Sequence, residues 1–410
     1  MTSKIAAFFV LGVILIFDAC NPAAEKKIAV ESKGDVTNYF AHQVKVAHAK
    51  HFTVSYHNNY KVVTCQSLIR SGEQSSTYQD KMVLVQRGTP QPDLTGELQG
   101  ASVIWIPART AAVNIESGEA FLGELGLRDS IVAVGGLISY DDSLRARAKS
   151  GRIGQVGYSW HQPPIMDILL ARKPDAFFSL TASLEYTASL GKCRQLGIPT
   201  IPVFSWAEEH YLGQAEWIKF YSLFFNKEEE ADQIFDSIVQ RVDDLKRKVA
   251  NISPAPTAMW GYHAGKDRWM IHKKSIEAQF LSDAGLINAF ADPGEPVQNS
   301  GTPLSTETVI DRGKNVDHWI IGDVHSAALP NETVMSSFAS WRNGKLYHNM
   351  KRSKPADNAW DWYGWAEVRP DLVLADLVKL THPGLIDGHE LVFLGTFDKN
   401  MKFPIEEGSF

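Results

Sequence analysis

Apolar positions along this chain follow two rhythms. From about Asp35 to Gly100 they alternate as strands do. Phe52-Thr-Val-Ser-Tyr56, Lys61-Val-Val-Thr64 and Met82-Val-Leu-Val-Gln86 are separated by Asn58-Asn59 and by Ser/Gly/Gln-rich stretches. From Ala101 onward short apolar strands alternate with helices, the sign of a parallel α/β sheet. Ile131–Val134 is a strand ended by Gly135-Gly136, and Ile165–Ala171 a helix before Lys173-Pro174-Asp175. Ala176–Phe178 is the next strand, Leu184–Leu196 a helix stopped by Gly197 and Pro199, and Thr200–Phe204 a further strand. One long helix follows. Between Lys227 and Ala250 the apolar residues fall at 231, 234, 235, 238, 242, 245 and 249. Acids occupy its first turn and bases its last, as the helix dipole favours. After Thr257 a second alternation begins, with Ala258–Trp260, Ser275–Ala284, His318–Ile321 and Asp371–Leu380. The pattern predicts an α/β protein. Two lobes with central, mainly parallel sheets are joined by one long helix, behind a β-rich N-terminal extension.

Composition narrows the class. The 410 residues are 44% hydrophobic and carry a net charge of -6 without a basic run, so electrostatic nucleic-acid binding has no footing. Three cysteines, Cys20, Cys65 and Cys193, exclude a disulfide scaffold and a CxxC site. Eleven tryptophans exceed what a core requires and point to a binding surface.

The amino terminus reads as an export signal over residues 1–19: Lys4, then an apolar stretch of about 13 residues, too short to span a bilayer. Phe17-Asp18-Ala19-Cys20 resembles a bacterial lipobox, which makes Cys20 the lipidation site and 20–34 a tether. No later stretch reaches about 18 uninterrupted apolar residues. The expected location is the periplasm or cell envelope, anchored to the membrane by lipid. Cys65 and Cys193 are the pair left to an oxidising compartment, and nothing places them together.

Three phrases carry a family resemblance. Leu125-Gly-Leu-Arg-Asp-Ser-Ile-Val-Ala-Val134 matches "LG..d.iVgV". Gly154-Gln-Val-Gly157 with Asp167-Ile-Leu-Leu-Ala-Arg-Lys-Pro-Asp175 matches "vG…lE.ilaLkPD". Trp341-Arg-Asn-Gly-Lys-Leu-Tyr347 with Arg369-Pro-Asp-Leu-Val-Leu-Ala-Asp-Leu377 and His382-Pro383 matches "a.knGkvy…rP.l.l.dl….hP". In this order, over Val103 to Pro383, the chain resembles the periplasmic binding proteins of ABC importers for ferric siderophores, haem and cobalamin. The resemblance implies a monomeric binding protein without catalysis or resident cofactor. It implies lobes at 101–226 and 251–383 around the helix 227–250, with 35–100 and the tail 384–410 unassigned. Its partners are an ABC permease dimer and a metal-chelate or corrinoid ligand. In the family, permease basic residues meet one acid on each lobe; those positions fall on Asp167 and, in Ser305-Thr-Glu-Thr308, on Glu307.

In open α/β sheets ligands gather at the carboxyl ends of strands. The aromatics concentrate there: Tyr140, Tyr158, Trp160 and Trp206 in the first lobe, Tyr262, Trp269, Trp360, Trp362 and Tyr363 in the second, with His325 beside them. Such a cleft suits a bulky, partly planar ligand held by stacking. Arg109, His161, Lys266, Arg268 and Lys351 are basic candidates for an anionic chelate.

Enzymatic motifs are missing. Gly157-Tyr-Ser-Trp-His161 breaks GxSxG, Gly151-Arg-Ile-Gly-Gln-Val-Gly157 lacks the GxGxxG spacing, and neither a P-loop nor HExxH occurs. Two alternatives stay open. His42, His48, His51 and His57 raise an importer component that captures bare zinc or manganese, so a resident metal site is not assigned. A surface lipoprotein that captures a chelate without a permease is the other.

Overall fold

The computed structural model describes residues 38–71, 74–160, 162–322 and 329–398. The signal segment, Cys20, the tether, His161 and His325 lie outside the described residues, as does the end of the tail.

The front segment builds a four-stranded sheet. Phe52–Tyr56, Tyr60–Ser71 and Gln74–Gln86 run antiparallel, and Ser102–Ile106 pairs in parallel with the last of them. The change of rhythm expected at Ala101 therefore comes one strand later. Met82, Val83, Leu84 and Val85 are apolar on both faces and fully buried. A strand of that kind needs a neighbour on each side, and Ser102–Ile106 supplies the second. The sheet is no separate domain, for Phe52, Val63 and Met82 share one core with Phe121 and Phe178 of the first lobe.

The first lobe has five parallel strands in the order Gly154–Gln155, Ile131–Val134, Ala111–Val113, Ala176–Leu180, Thr200–Val203. The order reverses direction at Ala111–Val113, which opens a crevice at the strands' carboxyl ends. Gly126 takes φ 73° after the helix Glu116–Glu124, the left-handed closure that the Leu-Gly step predicts. In the second lobe Thr257–His263, His318–Ile321 and Leu346–His348 run parallel, and Trp269–Ile271, Thr302–Leu304 and Gly395–Thr396 are added antiparallel. The last of these strands comes from the unassigned tail. The buried Asp376 carboxylate holds it there, accepting the amides of Val392, Phe393 and Leu394.

The helix Glu228–Val249 joins the lobes. Ala231 and Phe235 belong to the first core; Ile238, Val242, Leu245 and Val249 belong to the second. Its 22 residues span about 33 Å. Cys65 and Cys193 are buried free thiols in separate clusters.

Two buried carboxylates fasten the chain ahead of the front sheet. Glu216 accepts the amides of Ala47, His48 and Ala49, and Glu208 those of Lys50 and His51 as well as Trp217 Nε1. Lys219 Nζ reaches both Glu216 and the Lys45 carbonyl, at 3.0 and 2.8 Å. Charge-assisted bonds of this kind are stronger than neutral ones, and removing the acceptor leaves buried donors unpaired. Glu216→Ala should lower the unfolding free energy by about 3–5 kcal/mol in urea denaturation. The exposed Glu209→Ala should leave the midpoint in place.

Candidate functional site

A cavity of about 620 Å³ lies between the lobes. That is within the range of roughly 300–1,000 Å³ typical of small-molecule sites. Its first-lobe wall is Trp160 and Trp206, with Ile115 and Ile138; its second-lobe wall is Trp360, Trp362 and Tyr363, with Phe280. These side chains arrive there because the first-lobe strands end at the crevice. The turn after Thr200–Val203 delivers Trp206, and the loop after Gly154–Gln155 delivers Trp160. The ribbon Ser353–Lys354 paired with Ala359–Trp360 delivers the others. Trp160 is 53% and Tyr363 43% exposed, which leaves large apolar faces open at the mouth. Trp362 leans on the buried Trp260, ring centroids 5.9 Å apart. Trp206 Nε1 is buried without a hydrogen-bond partner.

Thus Trp160, Trp206, Trp360, Trp362 and Tyr363 come together, joined by Tyr211 and Phe280, and the other described aromatics expected at the site do not. Trp269 is fully buried in the second-lobe core, its Nε1 donating to Thr306 Oγ1 at 3.0 Å. Its strand lies between Thr257–His263 and Thr302–Leu304, and the indole packs against Trp319 and Phe338 instead of entering the crevice. Tyr262 packs against the same cluster. Tyr158 is buried over Gly135, whose missing side chain makes room for the ring, and donates to Glu119 Oε1 at 3.3 Å. Tyr140 lies under Lys354 Nζ, 4.3 Å from the ring centre, and under the Arg352 guanidinium at 4.9 Å. It serves a contact between the lobes. Lys354 also donates to the Tyr140 carbonyl and pairs with Asp142, and Arg145 pairs with Asp357. The 353–360 ribbon is thereby tied across one edge of the cleft.

The front-segment histidines are dispersed. His42 pairs with Asp232, His48 packs on Phe235, His51 Nδ1 meets the Gln66 carbonyl, and His57 stacks on Tyr60. Among the described residues no three His, Cys, Asp or Glu side chains converge as a metal site. Asp167 and Glu307 are exposed in the first turns of the helices Met166–Arg172 and Thr306–Gly313. Ser305 Oγ caps the second helix by accepting from Thr308 N.

Sequence reasoning passed over the acids. Glu116, Glu277 and Glu367 line the cavity, and no Lys or Arg does so among the described residues. Burial pushes Glu116 and Glu367 up to about 7. The hydroxyls of Ser205 and Ser117 approach Glu367 and partly offset this, while Glu116 adds to it. Burial also pushes Glu119, just behind, up to about 8, against the bonds it accepts from Ser139 and Tyr158. Glu277 is the exception. Burial would raise it, but the His272 ring 3.1 Å away outweighs that and holds it below its usual value. A signal did exist: Glu116 falls just after the strand Ala111–Val113, in the turn where ligands gather.

These shifts fix a pH dependence. Glu116, Glu119 and Glu367 keep their protons in the folded chain to higher pH than when unfolded. The folded state therefore binds more protons, and stability falls as pH rises. The buried imidazoles of His318 and His348, pushed down to about 4, work oppositely. Their effect ends near the unfolded histidine value of about 6.5. The ligand-free melting temperature should therefore drop between about pH 6.5 and 8, and Glu119→Gln should flatten the drop in a calorimetric series.

Among the described residues no helix is long and apolar enough to cross a membrane. An uncharacterized lipoprotein of Methanocaldococcus jannaschii is 24% identical over 276 residues, 66% of this chain and 61% of that relative's length. The siderophore binding protein BauB, solved with two molecules of acinetobactin and ferric iron, has a TM-score of 0.50 at 20% identity, covering 67% of this chain and 93% of its own. The Helicobacter pylori protein CeuE, solved with Ni(II) bound, has 0.51 at 13% identity, covering 70% and 88%. At such identities the structural likeness speaks for the fold alone. Residues 116–353, more than half of the chain, match the family described as periplasmic binding protein, and to that family this chain belongs.

Proposed function

We propose that this is the solute-binding component of an ABC importer for a metal chelate or corrinoid, held at the membrane by a lipid on Cys20. The observation that carries the reading is the cavity of about 620 Å³ between the lobes, walled by four tryptophans and two tyrosines among the described residues. Aromatic faces bury much area and lose little side-chain freedom, so they suit a bulky, partly apolar shell around a metal. The dispersal of the front-segment histidines favours a metal that arrives already chelated over direct capture of zinc or manganese. Both solved relatives named above carry metal in their descriptions, one as a siderophore complex, which supports the same class. Binding and release, without bond chemistry, are the whole of the activity in this reading. The protein works as a monomer that hands its cargo to a permease dimer.

Tryptophan fluorescence should be quenched by a ferric siderophore, haem or cobalamin at micromolar concentration or below. Quenching by none of them, together with tight zinc binding by calorimetry, would overturn the class. Trp160→Ala and Trp362→Ala should each weaken binding by about 1–4 kcal/mol, the range for interface aromatics. Unchanged affinity in both would move the site elsewhere.

Asp167 and Glu307 are proposed to meet basic residues of the permease. Asp167→Asn with Glu307→Gln should abolish uptake in cells while leaving ligand affinity unchanged. Full uptake by that double variant would favour a surface lipoprotein acting without a permease.

A further inference from the structure

The charge of the cleft says more about the cargo than its aromatic walls do. Tryptophan stacks on catecholates, hydroxamates, porphyrins and corrins alike. Among the described residues, the charged ones lining the cavity are Glu116, Glu277 and Glu367. Glu277 has its counter-ion in His272. Glu116 and Glu367 have none among the described residues: burial raises the cost of ionising both, and Glu116 and Glu208 add to it for Glu367, against the Ser205 and Ser117 hydroxyls. Glu119 and Tyr158 face Glu116, while Glu208 and Tyr221 face Glu367. In an enclosed site of low dielectric this charge is weakly screened, and a polyanion brought against it is repelled. One polar atom is also left open: Trp206 Nε1 is buried without an acceptor, while the Ser117 and Ser205 hydroxyls lie against Glu367. Trp206 and Glu367 both line the cavity. Unpaired buried groups of this kind cost stability unless a ligand completes them. A carboxamide answers both, giving N–H to the carboxyl and C=O to the indole. An ammonium answers the carboxyls.

Resting on the chelate reading above, we propose that Glu116, Glu367 and Trp206 select a complex whose inward face carries carboxamide or ammonium N–H donors. Polyanionic chelates are excluded. The cleft recognises its cargo by the ligand shell and does not bind the metal directly. Since burial holds both carboxyls at about 7, donors that favour the ionised form draw protons off. Affinity for such a ligand then rises with pH across neutrality.

The test is calorimetry on the detergent-solubilised full chain with four probes. Ferrioxamine B, a hydroxamate complex with a free ammonium, and cyanocobalamin, with its rim of amides, are set against a ferric tricatecholate and haemin. At least one of the first two should bind at least tenfold more tightly than either anion. Its affinity should rise roughly tenfold from pH 6 to pH 8 for each carboxyl that ionises. Glu116→Gln with Glu367→Gln should erase that pH dependence and weaken the preferred probe at least tenfold. The same change should tighten the tricatecholate and leave or raise the melting temperature, which separates lost recognition from lost folding. A tricatecholate or haemin bound more tightly than both donor-bearing probes overturns the inference and leaves the chelate reading standing. So does a preference unmoved by the double variant. If no probe of any charge binds, the chelate reading falls and this inference with it.

Discussion

One helix shared by two cores is the constraint on which the rest of the structure depends. Glu228–Val249 contributes Ala231 and Phe235 to one lobe and Val242, Leu245 and Val249 to the other. It contains neither proline nor glycine, the usual sources of a sharp kink. Opening the cleft widely would bend it or pull one half of its apolar face into water. Ion pairs reinforce the same seam. Arg369 bonds both oxygens of buried Asp371, Arg241 of the long helix reaches that carboxylate as well, and Arg369 crosses to Glu124 in the first lobe. The cleft is therefore largely formed before a ligand enters, and binding spends little on reorganisation.

The front extension takes its meaning from that spine. Its chain enters over Glu208 and Glu216, which lie between the last first-lobe strand and the long helix. Lys61 of the front sheet reaches the Leu223 carbonyl and Asn226 and pairs with Glu228, at the helix start. Asn299 of the second lobe donates to the Glu208 carbonyl, and Gln279 to that of Glu209. One short segment thus receives contacts from the extension and from both lobes. The extension fastens the start of the long helix and the segment ahead of it.

Much of this was legible from residue pattern, because the features concerned are local. The long helix shows itself through period and terminal charge, and Gly126 through the turn it must make. Trp160, Trp206 and the Trp360–Tyr363 cluster follow from strand ends, where backbone direction alone sets the outlook of a side chain. What escaped depends on contacts far apart in sequence. Trp269 has the same local look as Trp360, but its strand lies inside the sheet, between Thr257–His263 and Thr302–Leu304, and its indole packs in the core. Ser102–Ile106 reads like an α/β strand until its neighbour Gln74–Gln86 proves apolar on both sides. Glu116 and Glu367 look like ordinary helix-start and surface acids. Only the meeting of two lobes buries them, and no periodicity encodes that.

Under the proposed function, the same burial separates the two jobs of the cleft. Stacking against indoles supplies affinity in proportion to area, with little discrimination among flat or apolar shells. Discrimination requires groups that are costly to leave unsatisfied, because the wrong ligand then forfeits more than the right one gains. Trp206 Nε1 is such a group, a buried donor without an acceptor. Keeping it unpaired costs stability, and a core optimised for folding alone would have replaced it with an apolar side chain. Its place in the wall of an aromatic cavity, beside Glu116 and Glu367, is the arrangement expected under the proposed function, where the cargo must be chosen among chelates that share the same metal.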